Sequence, residues 1–391
     1  MNISRRTKAV LPSATLAMTA RAQALKASGR DVLSMSAGEP DFDTPEHIKR
    51  AALAALSAGD TKYTPVAGTR ALRQALCAWA ERLYGQSYQP NETIVGTGGK
   101  QVLFNACCAL LEEGDEALFG APYWVSYPDM IRFAGGVPKP VEGGPADRFL
   151  PQADAIRAAL TRKTRLLILN SPSNPTGSAY SRTELRAIAD VLADWPQVTI
   201  ITDDIYSGLV YDGAFESIAS CAPELRARTL IATGVSKTYA MTGWRIGFGI
   251  GPKALIDAMT DLQGASTSGA CSIAQAAAVA ALQGDMAPVE SMRQIFQARR
   301  DRLVAGLRRI GSLDVHVPAG AFYAFVGVGD LVPSKVPSSA ALCEHLLESV
   351  DLALVPGSAF GAEAYVRLSF ACSEQQIDEA VARLERGLGR L

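Results

Sequence analysis

Through the middle of the chain, short apolar runs alternate with helical patterns. "TIVGTGGK" gives way to the helical "QVLFNACCALLEEGD". Then come "EALFGAPYW", "TRLLILNSPSNPTG", "VTIITDDIYSG", "RTLIATGVSK" and "WRIGFGIG". Each run is aliphatic or β-branched and is closed by Gly, Pro, Asn or Asp. Continuous apolar strands separated by helices predict a mostly parallel sheet covered on both faces. Ligands of such sheets bind beyond the carboxyl ends of the strands. The polar residues that close these runs are therefore the first candidates for chemistry.

The pattern changes in the last third. "PVESMRQIFQARRDRLVAGLRRIG" predicts a long amphipathic helix. "LDVHVPAGAFYAFVGV", a helix around "SSAALCEHLLESV", "LALVPGSAFG", "AYVRLSFAC" and a closing helix follow. Strands paired locally with helices predict a smaller α+β part. The expected fold class is α/β: a three-layer α/β/α large domain over 46–285, with 1–45 and 286–391 forming a small α+β domain. The break is expected near Gly284 to Pro288. At the start, Ser13 to Lys26 reads as a helix ending before Gly29. The stretch is basic and carries "AMTARA", but Pro12, Ser13, Thr15, Thr19 and Arg21 interrupt any apolar signal core. A cytoplasmic protein is expected.

Composition narrows the classes. The 391 residues are 48% hydrophobic and 20% charged, with a net charge of −1. This balance offers no bulk field for nucleic acid, and no apolar run is long enough for a bilayer span. Seven cysteines without CxxC spacing read as free thiols of a reducing compartment. His47, His316 and His345 are far apart and lack metal-site spacing, so no metal is expected.

Five places could carry chemistry. Gly96-Thr97-Gly98-Gly99-Lys100 lies between a strand and a helix, where small residues let amides approach an anion; a plain tight turn is the alternative. Asn170 to Gly177, "NSPSNPTG", is stiffened by two prolines and can aim Asn174 at a ligand, or be only a loop. Asp203-Asp204, with Tyr206 close behind, ends a strand. A carboxylate there could keep a heterocyclic nitrogen protonated, or could cap a helix. Lys237, beside Ser236 and with Arg245 eight residues on, sits in "GVSKTYAMTGWRIGF". Desolvation would lower its pKa and make it a nucleophile; a surface lysine is the alternative. Arg367 in "AYVRLSF" needs either an acidic side chain or a substrate carboxylate.

Taken together, these segments resemble the class I, fold-type I aminotransferases that depend on pyridoxal 5'-phosphate. The resemblance runs from "LPSATLAM" to "VRLSFACSEQQIDEA". It includes "SAGEPDFDTP", "KYTPVAGT", "GTGGKQVLFNA", "PYWVSYPDM", "NSPSNPTG", "DDIY" and the cofactor-lysine pattern S-K-x-x-x-x-x-G-x-R. The "GGKQ" and "PYWVSYP" forms resemble the bacterial aspartate aminotransferase branch.

The resemblance implies roles by position. Lys237 would form the Schiff base and carry the proton between Cα and the cofactor. Asp203 would pair with the pyridinium nitrogen. Asn174 and Tyr206 would bond the phenolic oxygen, and Trp124 would stack on the ring. Gly98, Gly99, Ser236 and Arg245 would surround the phosphate. Tyr63 would reach the phosphate of a neighbouring subunit, which makes a homodimer the expected form. Arg367, with Asn174 and the backbone at Gly38, would grip the α-carboxylate. Lys100 would hold the distal carboxylate of an acidic substrate. Aspartate with 2-oxoglutarate is the expected pair; prephenate or aromatic transamination and aspartate β-decarboxylation are the rivals within the same site.

Two departures stand out. The loop "QGASTSGACSIAQ" carries Gly264, Gly269 and Ala270 where relatives differ, which bears on specificity. Gly234 stands where some relatives place a phosphate-binding serine. A dehydrogenase is disfavoured because no GxGxxG opens a helix after a strand. A cofactor-binding regulator is disfavoured because no DNA-binding segment precedes Ser13.

Overall fold

The computed structural model describes residues 2–8, 10 and 14–391, apart from the side chains of 5 and 14–16. Seven strands form one sheet, in the order Thr93–Gly96, Gly247–Ile250, Thr229–Gly234, Thr199–Asp203, Thr164–Asn170, Glu116–Ala121, Val137–Glu142. Every pairing is parallel except those of Gly247–Ile250, which runs against both its neighbours. Each predicted apolar run of the middle region is thus a strand. Thr229–Gly234 and Gly247–Ile250 are buried at every position, and Thr199–Asp203 at all but its first, as a sheet covered on both faces requires. The helix predicted after "TIVGTGGK" spans Gly99–Leu110.

The later part of the chain builds a four-stranded antiparallel sheet. Its order is Val355–Pro356, Tyr365–Ser369, Tyr323–Gly327, Asp314–Val315. The long helix is Ala287–Leu307, and the closing helix is Glu374–Leu388. Leu33–Ser34 pairs in parallel with Leu352–Ala353, tying the N-terminal region to the C-terminal part. The first long helix covers Ala14–Ala27; the expected start at Ser13 lies outside the described residues. The seven cysteines are unpaired. Among the described residues no helix is long and apolar enough to cross a membrane.

Candidate active site

The strands Thr164–Asn170 and Thr199–Asp203 end side by side, with Asn170 opposite Asp203 in register. Their carboxyl ends open on a cavity of about 300 Å³. Gly38, Gly99, Lys100, Trp124, Asn174 and Asp203 line it, as do Tyr206, Ser236, Lys237, Arg245 and Arg367. Eleven of the positions singled out from sequence, spread from 38 to 367, therefore meet in one place.

Asp203 points into the cavity, and its neighbour Asp204 does not. Successive strand residues face opposite ways, so Asp204 turns to Thr202 Oγ1 at 2.6 Å and Ser217 Oγ at 2.8 Å. No helix starts at this pair; the next begins at Ile218, so neither aspartate is a helix cap. Asp203 is buried, has no ion pair among the described residues, and accepts a 2.6 Å bond from Tyr127 Oη. Burial pushes its carboxyl up to about 6, against the Tyr127 bond, the Ile205 amide and the Lys237 charge.

Lys237 follows the strand Thr229–Gly234 and donates to Gly38 O at 2.5 Å. Burial lowers its amine to about 8. The charge of Glu39 works against that shift, while Arg245 and Arg367 add to it. About half of the amine is therefore neutral near pH 8, where an exposed lysine is fully charged.

Arg245 packs against the turn at Gly98–Gly99. Gly98 has φ +86°, and a Cβ there would lie 2.4 Å from Arg245 Nη2, so only glycine leaves the guanidinium its room. Arg245 has no carboxylate partner among the described residues; its Nη1 donates to Thr242 O at 2.8 Å. The helix Gly99–Leu110 starts beside it, adding free amides and a favourable dipole. At Gly234 a Cβ would sit 2.8 Å from Ile246 O, so that position admits no serine without a shift.

Arg367 is 2% exposed. Nη1 donates to Asn174 Oδ1 and Nη2 to Ser36 O, both at 2.9 Å, and Nε has no partner among the described residues. The guanidinium lies 4.4 Å from the Tyr323 ring centroid and 5.1 Å from that of Phe360. Of the two sequence alternatives for Arg367, an acidic side chain is absent among the described residues. Lys100 sits with Nζ 4.9 Å from the Trp124 ring centroid. Burial, then Arg245, lowers its pKa, and Asp129 opposes this.

Tyr63 lies elsewhere and is fully exposed. Its neighbour Thr64 packs against the variant loop: a Cβ at Gly269 would be 2.4 Å from Thr64 Oγ1. Gln275 ties the two together through Thr64 Oγ1 and Ala270 O. Sequence reasoning missed Tyr127, Tyr323 and Phe360 and gave Asn170, which opens a candidate stretch, no role; all four line the site or bond to it. Asn170 donates to Asp203 O at 2.8 Å and accepts from Asn174 N at 3.0 Å, which holds "NSPSNPTG" against the aspartate strand. Its place at the end of an apolar run was the available signal.

The family model for aminotransferase class I and II matches residues 30–384. The chain belongs to this family. A probable aspartate/prephenate aminotransferase of Rhizobium leguminosarum bv. phaseoli is 48% identical, over 97% of each chain. An aspartate/prephenate aminotransferase of Nitrosomonas europaea is 45% identical over 98% of this chain and 99% of its own. Among solved structures, the aspartate aminotransferase of Rhizobium meliloti superposes on this aminotransferase with a TM-score of 0.96 at 43% identity, covering both chains fully. That of Thermus thermophilus with maleate gives 0.94 at 43% identity, over 99% of this chain and all of the other. The expected fold class and family stand.

Proposed function

We propose that this aminotransferase uses pyridoxal 5'-phosphate to move the amino group of L-aspartate to 2-oxoglutarate, giving oxaloacetate and L-glutamate. The observation that carries the reading is one cavity lined by three groups without ion-pair partners among the described residues: Asp203, Lys237 and Arg367.

The residues present suit the cofactor. Arg245, Ser236 and the amides at Gly98–Gly99 are donors for a phosphate, and the glycine at 98 keeps the cradle open. Asp203 offers a carboxylate to a ring nitrogen, Asn174 and Tyr206 offer donors to a phenolic oxygen, and Trp124 offers an aromatic face. Bound there, the cofactor supplies an electron sink that makes the substrate Cα–H acidic. Lys237, with its amine lowered to about 8, can take the Cα proton as a base and return it as an acid. Arg367 uses two of its five N–H donors on Asn174 and Ser36, which leaves three for an α-carboxylate. Lys100 supplies a point charge for the distal carboxylate. Exposed Tyr63 and the loop around Gly269 are read as the face toward a second copy in a cytoplasmic homodimer. The division into 46–285 and 1–45 plus 286–391 is part of the same proposal.

A visible spectrum of the protein with pyridoxal phosphate tests this. The lysine-bound band should bleach with aspartate and glutamate and less with phenylalanine or kynurenine. Lys237→Ala should lack the band; its survival would end the assignment. The names of the relatives also favour prephenate as a second amino acceptor, checked by incubation with aspartate and mass analysis of the product. Alanine in place of oxaloacetate would indicate β-decarboxylation.

A further inference from the structure

Tyr323 opens the strand Tyr323–Gly327 and is 1% exposed. Its hydroxyl lies 3.0 Å from that of Tyr206, and its ring lies under the Arg367 guanidinium at 4.4 Å. The same hydroxyl would lie 3.6 Å from a Cβ at Gly38, the residue whose carbonyl accepts from Lys237. One side chain thus touches two residues assigned to different partners: Tyr206 to the cofactor and Arg367 to the substrate.

The Tyr206 hydroxyl has one proton and can accept through its lone pairs. If that proton is given to the phenolic oxygen of the cofactor, the contact with Tyr323 must run the other way, with Tyr323 donating. Burial holds both phenols well on the protonated side, so neither loses its donor at working pH. A hydroxyl that accepts a hydrogen bond becomes a stronger donor.

We propose that Tyr323 is a positioning residue with two separable parts: its hydroxyl fixes the direction and strength of the Tyr206 hydrogen bond, and its ring holds Arg367 in place for the substrate carboxylate. This rests on the cofactor reading above. Tyr323→Phe removes the hydroxyl and keeps the ring; Tyr323→Leu removes both.

Three readouts test it: the pH at which the visible band of bound pyridoxal phosphate titrates, kcat, and KM for aspartate. In Tyr323→Phe a weaker Tyr206 donor leaves the phenolic oxygen more basic, so the titration moves to higher pH. kcat should fall roughly 3- to 10-fold, the size of one hydrogen bond, while KM stays within about 2-fold of the native value. Tyr323→Leu should add a rise in KM of roughly 5- to 30-fold from the lost cation–π contact. Unchanged titration and kcat in Tyr323→Phe would overturn the proposal, as would equal KM effects in the two variants. If the native protein shows no visible band, the cofactor reading itself fails, which is a distinct result. Circular dichroism of the cofactor-free variants checks that each is folded.

Discussion

Replacing Arg367 by Lys keeps the positive charge and removes the fork. The native guanidinium is 2% exposed and is held by Asn174 Oδ1 and Ser36 O, each at 2.9 Å. An ammonium cannot serve both acceptors and also make a parallel pair with a carboxylate. The loss has two parts. One charge-assisted hydrogen bond to substrate is worth about 1.5–3 kcal/mol, and one buried acceptor left unpaired costs about 1–3 kcal/mol. Only the first depends on substrate and sets the fall in kcat/KM, about 10- to 150-fold; the second is present with or without substrate and appears as lost stability. The assay is steady-state kcat/KM for aspartate and, separately, for 2-oxoglutarate. Both carry an α-carboxylate, so both should fall. Pyridoxal phosphate affinity should change by less than about 3-fold, because the expected phosphate cradle is built around Arg245 and Gly98. A kcat/KM within threefold of native for either substrate would refute the assignment of Arg367 to the carboxylate. So would a loss matched by an equal fall in cofactor affinity.

Two further outcomes follow from the same geometry. Asp203 has its carboxyl raised to about 6, so the folded protein binds more protons than the unfolded chain between the ordinary carboxyl pKa and 6, and stability falls as pH rises through that window. Asp203→Asn should therefore raise the melting temperature of the cofactor-free protein above pH 6, by about 1–3 kcal/mol of stability. The gain should shrink in melts at pH 5, and transamination should be lost. Lys100→Met should lower kcat/KM for aspartate about 10- to 100-fold, since it removes the point charge proposed for the distal carboxylate. Phenylalanine should be affected by less than about 3-fold, and equal losses for the two substrates would remove Lys100 from the recognition site.

Local chemistry determined much of this protein. The alternation of apolar runs with helical patterns set the parallel sheet, because a strand buried on both faces must be apolar throughout. Residues close in sequence carried their own signal: Lys237 with Ser236 and Arg245, the proline-stiffened loop at Asn174, and the glycines before Lys100. What the sequence left open were choices of facing and contacts made over long separations. The pair Asp203-Asp204 by itself offers two equal carboxylates; the family resemblance pointed to Asp203, and the physical reason, that Asp203 faces the cavity while Asp204 faces Thr202 and Ser217, lies in how the strand Thr199–Asp203 sits between its neighbours. Tyr127 and Tyr323 carry no local sign of chemistry, and only folding brings them to Asp203, Tyr206 and Arg367. The Arg367–Asn174 bond spans 193 residues and the Lys237–Gly38 bond 199. Such contacts leave no local pattern, because each side chain is chosen by neighbours that only the tertiary structure supplies.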